Sequence, residues 1–176
     1  MIYLLEPYPR NSPVPYLQEF IAVGRRNRPG YSMKPKWITI HDTANSSSGA
    51  GAKMHSQYVR NTPDLVASWH ITIDEKYIIQ HLPFNENGWH ATDGTYGTGN
   101  RESIGIELAQ NSDGNRPKTE DNGAWTVAWL MKEFNIPLSN VVQHNKWYPV
   151  KNCPNILRNR VGGWQGFLNQ IQFYFD

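Results

Sequence analysis

His41, His144 and Cys153 are side chains of the types that hold a catalytic zinc. Zinc hydrolases take three ligands from histidine, cysteine and carboxylate side chains and keep the fourth position open for water. All three residues fall at strand ends or in loops, and nine positions separate His144 from Cys153, enough for a loop to fold back on itself. Spacing alone does not decide the matter, because loops of many lengths could close such a site and six histidines offer many triples. Cys153 is the single cysteine, which excludes an internal disulfide. It reads as a core thiol, a nucleophile or a metal ligand.

Glu107 is the second chemical feature. In Ser103-Ile-Gly-Ile-Glu-Leu-Ala109, Ile104, Ile106 and Leu108 share one face, and Glu107 shares the other with Gly105. A carboxylate inside a sheet is costly unless it is paired or lies near a cation. A metal site supplies the cation, and a partly buried carboxylate can have the raised pKa that a general base needs. The bland alternative is an edge-strand glutamate in water.

These groups need a sheet to hold them. Trp37-Ile-Thr-Ile-His-Asp-Thr43 alternates Ile38 and Ile40 with Thr39 and His41, then gives way to the polar Asn45-Ser-Ser-Ser-Gly-Ala-Gly51. His41 therefore sits near the carboxyl end of a buried strand, where ligands of α/β sheets gather. Residues 51–61 carry Met54, Tyr58 and Val59 at helical spacing. Trp69–Ile73 and Tyr77–His81 form a hairpin about Asp74-Glu-Lys76. Residues 83–101 form a loop long enough to be functional, and its Trp89 and His90 argue against disorder.

Residues 119–135 are an amphipathic helix through Ala124, Val127, Met131 and Phe134. Residues 140–144 are a short strand, and residues 164–175 are a covering helix. Ser12-Pro13 predicts a short opening helix through Leu17, Phe20 and Ile21, broken by Asn27-Arg-Pro-Gly30. Strands mixed with covering helices define one α/β domain.

The 176 residues are 39% hydrophobic and 18% charged, a balance that can bury a core. A formal charge of +2 with no basic run gives no case for nucleic acid, and no segment has the length of a membrane span. Met1-Ile-Tyr-Leu-Leu5 breaks off at Glu6 and Pro7, so no secretory signal peptide is read there.

Four motifs follow in order: His41 after Ile-Thr-Ile, Ser68-Trp-His-Ile-Thr-Ile73, Gly99-Asn-Arg-Glu-Ser-Ile-Gly-Ile-Glu107, and His144 followed by Lys151-Asn-Cys-Pro154. Together they resemble the N-acetylmuramoyl-L-alanine amidase family of the type-2 amidase fold, as found in phage and prophage endolysins of Bacillus-like hosts, over about residues 33–170. The resemblance implies a single mixed β-sheet covered by helices, like that of peptidoglycan recognition proteins. It implies a zinc-dependent, bacteriolytic hydrolase that cuts the amide between N-acetylmuramic acid and L-alanine of the stem peptide. His41, His144 and Cys153 are then the zinc ligands, Glu107 the catalytic carboxylate and Lys151 the oxyanion donor. One position departs from part of the family: the residue before the second-strand histidine, a tyrosine in the T7-lysozyme-like branch, is Trp69. Lacking a phenol, Trp69 cannot transfer a proton, and the acid–base burden falls on Glu107.

Trp69, Trp89, His90, Asn100 and Arg101, with Asp93, are candidates for the substrate groove, since aromatics stack on sugar rings and amide or guanidinium groups bind peptide carbonyls and carboxylates. His55, His70 and His81 read as structural, and Trp125 and Trp129 as core. Two rivals remain. A non-catalytic peptidoglycan-binding module of the same fold would lack the cysteine. A different wall hydrolase would be a glycosidase or a peptidase acting further along the stem; a glycosidase wants paired carboxylates, and none are evident. The expected organisation is residues 1–32 as an extension packed on a catalytic domain of residues 33–176, with no wall-binding domain in this chain. A monomer is expected, made in the cytoplasm and acting on peptidoglycan after release.

Overall fold

Period-two alternation in the two longest strands sets the architecture. β2 (Trp37–Asp42) and β5 (Ser103–Leu108) run parallel, with Ile38 opposite Ile104, Ile40 opposite Ile106 and His41 opposite Glu107. The computed structural model describes residues 6–176, and the Met1–Leu5 start discussed above lies outside them. β1 (Tyr16–Gln18), β3 (Ile71–Ile73), β4 (Ile78–Gln80) and β6 (Val141–Gln143) complete a six-stranded sheet in the order β1-β4-β3-β5-β2-β6. β3 and β4 form the antiparallel hairpin, its turn held by Asp74 Oδ1 accepting from the Lys76 and Tyr77 amides at 2.7 Å each. The other ladders among the described strands are parallel. The class is the expected one, a single mixed sheet covered by helices.

Ile38, Ile40, Ile104, Ile106 and Leu108 turn to one side and are sealed by α3 (Arg116–Phe134) and α5 (Gly163–Phe175) through Ala124, Val127, Met131, Phe167 and Ile171. α3 begins three residues before the expected 119. Asn115 caps it by accepting from the Lys118 amide at 3.0 Å, and Pro117 in the first turn costs no helical hydrogen bond. It ends on Asn135 in the left-handed region, φ 53°.

The opposite face is partly covered by α1 (Ala52–Asn61), which buries Ala52, His55, Ser56 and Val59. Met54 is only partly buried and Tyr58 is exposed, so the buried stripe is rotated from the one read in the sequence. The loop 83–101 closes into a short helix, α2 (Thr98–Glu102). A further short helix, α4 (Asn155–Asn159), follows Cys153-Pro154 and has no counterpart in the sequence reading.

The opening helix predicted from Ser12-Pro13 is not there. That segment is extended, and Tyr16–Gln18 pairs in parallel with β4. The reason is local: Pro15 disfavours helical backbone at Val14, while an edge strand tolerates prolines before it. Ile78 donates to the Pro15 carbonyl at 3.1 Å, and Tyr16 Oη donates to Gln80 Oε1 at 2.7 Å. Further along, Asn27 Nδ2 donates to Val59 O at 2.7 Å, and Arg28 grips Glu86 through two hydrogen bonds of 2.7 Å.

Candidate metal centre

Strand order brings the chemical groups together. β2 ends at His41, β5 beside it carries Glu107 on the same face, and β6 on the other side ends at Gln143, opposite Ile40. The next residue, His144, thus reaches the flank of His41. Cys153 returns on the following loop. Asp42 pins that return, with Oδ2 accepting from the Ile156 amide at 2.8 Å and Oδ1 from Arg116 Nη2 at 2.6 Å.

The three ligand-type atoms lie within 4.8 Å of one another and all three residues are buried. His41 Nδ1 is 3.1 Å from His144 Nδ1 and 3.7 Å from Cys153 Sγ. Carbonyl acceptors assign the tautomers. His90 Nε2 lies 3.1 Å from Ser103 O, so it carries the proton and Nδ1 is an acceptor. His41 Nε2, 3.0 Å from that Nδ1, must donate, which leaves His41 Nδ1 bare. His144 Nε2 lies 3.1 Å from Ala91 O and 3.2 Å from Thr92 Oγ1, which leaves its Nδ1 bare as well. Two bare nitrogens therefore face each other at 3.1 Å without a proton between them, beside a thiol. A cation turns that repulsion into binding, and the donor set, two imidazoles and a sulfur, can hold a metal.

Protonation agrees with this arrangement. Burial, then the neighbouring histidines, hold His41 well below the ordinary histidine range, and burial likewise lowers His144. Burial, then Glu107, pushes the Cys153 thiol up to about 12. Such a thiol is no nucleophile by itself, whereas a coordinated thiol loses its proton outright.

Glu107 is partly buried, and its Oε2 is shut off from solvent with no hydrogen-bond partner among the described residues. Desolvation, then the charge of Asp42, raises it to about 8, against the lowering effect of Lys151. Glu107, Lys151 and the three ligand-type residues line one cavity of about 280 Å³ with Trp69 and Trp89.

The structure divides the remaining candidates. Trp69 is buried, with Nε1 donating to Thr72 Oγ1 at 2.7 Å, and Trp89 is partly exposed at the rim. His90 reaches the cavity but is occupied with His41 and Ser103. Asn100 is turned inward: its Oδ1 accepts from the His90 and Ala91 amides at 2.9 and 2.8 Å. Asp93 caps α2 through the Gly99 and Asn100 amides. The Arg101 guanidinium stacks on Tyr31, 4.4 Å from the ring centre, and does not line the cavity.

His70 holds Gly105 and Glu86 backbone groups, and His81 bonds Thr72 Oγ1 at 2.8 Å. Sequence reasoning missed Asp42 and Thr92. Thr92 is a β-branched residue at φ 63°, a rare conformation that places its hydroxyl on His144.

A mixed sheet whose parallel strands and the loops after them bring two histidines, a cysteine and a half-buried carboxylate to one cleft that could hold a metal defines a protein of the type-2 amidase fold. The chain belongs to the N-acetylmuramoyl-L-alanine amidase family, whose profile matches residues 31–156. It is 53% identical over 154 residues to N-acetylmuramoyl-L-alanine amidase CwlH of Bacillus subtilis, covering 88% of this chain and 60% of that one. It is 51% identical over 151 residues to XlyA of the same organism, covering 86% of this chain and 49% of that one. The chain thus spans less than two thirds of these relatives. The XlyA catalytic domain superposes with a TM-score of 0.84 at 50% identity, over 90% of this chain and 99% of that one. Staphylococcus aureus AmiA, at 18% identity and a TM-score of 0.75 over 92% of this chain and 84% of that one, shares the fold.

Proposed function

We propose that this chain is a zinc-dependent N-acetylmuramoyl-L-alanine amidase that hydrolyses the amide between the lactyl group of N-acetylmuramic acid and L-alanine of the stem peptide in the bacterial wall. The observation that carries the proposal is the pair of bare imidazole nitrogens beside Cys153, next to the unpartnered Glu107 oxygen. Tetrahedral zinc, with Zn–N near 2.0–2.1 Å and Zn–S near 2.3 Å, needs ligand atoms roughly 3.3–3.6 Å apart. Two of the three separations, 3.1 and 3.7 Å, lie close to that range, and all three ligand-type atoms fall within 4.8 Å of one another. His41, His144 and Cys153 would be its ligands. Zinc held there would supply Lewis-acid polarisation of the scissile carbonyl and a more acidic water.

The chain's own groups do the rest. Glu107 takes a proton from the attacking water and hands it to the departing alanine nitrogen, and burial has moved its pKa in the direction a general base needs. Lys151, an exposed cation on the cavity wall, stabilises the oxyanion at the lactyl carbonyl. His90 fixes the tautomer and angle of His41. Trp69 and Trp89 flank the bound sugar and peptide, whereas Asn100 and Arg101 act through the shape of the loop. Residues 33–176 are taken as the catalytic unit, with residues 1–32 supplying its edge strand.

The test is end-group chemistry with metal analysis on one preparation. Digestion of purified wall should release L-alanine amino termini and no new reducing sugars. Chelation should abolish the release and zinc should restore it, and Cys153→Ser should lower zinc affinity by about 10² or more. New reducing ends, or full activity in a metal-free or Cys153→Ser preparation, would sink the proposal.

A further inference from the structure

A second cavity lies across the sheet from the metal centre. Tyr8, Arg10, Trp125, Trp129, Lys132 and Tyr174 line it, on the outer side of α3. Its volume is about 350 Å³. That is near the low end for ligand sites, roughly 300–1,000 Å³, and suits one or two sugar rings better than a long strand.

Its walls are already fixed. Trp129 stands edge-on to Tyr16 and Phe84, with ring centres 5.7 and 6.0 Å apart. Tyr8 stands edge-on to Tyr16 at 5.3 Å and donates its hydroxyl to Tyr16 O at 3.1 Å. Tyr174 Oη donates to Asp121 Oδ1 at 2.6 Å, and Lys132 Nζ donates to Tyr174 O at 3.2 Å. Trp125 and Trp129 are one helical turn apart and only partly buried, and both line the cavity.

The charge at this cavity is one-sided. Arg10 is exposed and makes no ion pair or side-chain hydrogen bond among the described residues, and Met1–Leu5 contain no acidic side chain. Asp121 is engaged by Lys118 and Tyr174.

Two indoles flanked by Arg10 and by Lys132, whose ammonium spends one donor on the Tyr174 carbonyl, match a sugar ring that carries a carboxylate. We propose that this cavity binds muramic-acid glycan whose lactyl group ends in a free carboxylate. The inference rests on the amidase reading for the origin of its ligand. Hydrolysis breaks the C–N bond, leaves the water oxygen on the lactyl carbon as a carboxylate, and sends the proton to the alanine nitrogen. Before cleavage that lactyl carbonyl is a neutral amide, so the cavity favours the stripped product and holds the protein on wall it has already cut.

The experiment is an NMR titration of the full zinc-loaded chain, following indole and arginine side-chain N–H signals. The probes are the disaccharide N-acetylglucosaminyl-N-acetylmuramic acid, neutral chitobiose, and a glycerol phosphate oligomer. The expected result is saturable shifts of Trp125, Trp129 and Arg10 with the muramic disaccharide. Chitobiose should bind about tenfold more weakly, the share of one charge-assisted contact. Arg10→Ala with Lys132→Ala should erase that preference while leaving hydrolysis of a small soluble muramyl peptide unchanged. Arg10→Ala alone guards against any loosening of α5 by the lysine change. Shifts confined to Trp69 and Trp89, equal affinity for chitobiose, or preference for glycerol phosphate would each overturn the proposal. Release of L-alanine amino termini is measured on the same sample. If it fails while the titration succeeds, the amidase reading falls and the anionic-saccharide site stands.

Discussion

β2 and β5 present two unlike faces. On one, Ile38, Ile40, Ile104, Ile106 and Leu108 have no exposed surface and pack against α3 and α5. On the other, the same strands carry Thr39, His41, Gly105 and Glu107, and directed bonds do the holding. Thr39 Oγ1 meets Ser103 Oγ at 2.5 Å and accepts from Trp147 Nε1 at 2.8 Å, and His41 leans on His90. Apolar burial has no direction and scales with area, so the first face can lose a group at a cost in stability alone. On the second face a lost partner leaves a buried polar atom unpaired or an imidazole misaimed. One face sets how stable the fold is, and the other sets where the ligand-type atoms of the candidate metal centre point.

The largest expected effect comes from the polar face. Glu107→Gln should reduce turnover by about 10²–10⁴, the share of a positioned general base, while zinc content and thermal midpoint hold. A neutral amide is easier to bury than a carboxylate already raised to about 8. Zinc content, midpoint and initial rate on one preparation decide it. Loss of zinc would make Glu107 a support of the site, and full activity would remove it from the mechanism.

On the other side of the same strand, Ile106→Ala should cost about 2–5 kcal/mol of stability. Denaturant unfolding should report the loss, while zinc affinity and turnover of the folded fraction stay as they were. A matching loss of zinc affinity would mean that the two faces are not independent.

Gly105→Ala sharpens the contrast with one methyl group. A Cβ at this position would lie 2.7 Å from the His90 ring, which packs against the bare backbone. Displacing His90 removes the partner that orients His41, and zinc affinity should fall roughly 10–100-fold, as when other groups that orient a metal ligand are lost. Competition with a chelating dye measures it. Unchanged affinity would show that His41 keeps its aim without His90.

The smallest effect is in pH. His70 accepts from the Gly105 amide and donates to the Glu86 carbonyl, so the neutral ring fits and burial lowers it to about 4. A histidine depressed in the folded state contributes stability that is present above its unfolded pKa and is lost as pH falls. The window is therefore from 6.5 down to about 4. The slope it adds is at most about 1.4 kcal/mol per pH unit. His70→Gln should flatten the midpoint-against-pH curve in that window, and an unchanged slope would assign the acid sensitivity to His81 and His90, both lowered to about 3.

Much of this was legible in the chain and some was not, for physical reasons. The alternation through Ile38–His41 and Ile104–Leu108 announces strands with one apolar face, because a pleated strand turns successive side chains to opposite sides. It also makes Glu107 conspicuous. The periodicity of residues 164–175 announces a covering helix in the same way. The opening segment was misread because its apolar spacing suited a helix, while Pro15 and pairing with β4 decided for an edge strand. Residue types made His41, His144 and Cys153 able to bind a metal and Glu107 costly to bury without a reason, and the order of motifs resembling the amidase family singled that triple out among six histidines.

Only the tertiary structure decided that these atoms meet within 4.8 Å, that His90 supplies the tautomer of His41, and that Asp42 pins the return of the cysteine loop. These contacts join residues 49 to 114 positions apart, and no local periodicity records them. They follow from strand order, which places β5 and β6 on either side of β2, and strand order is fixed by how the whole apolar face packs under two helices.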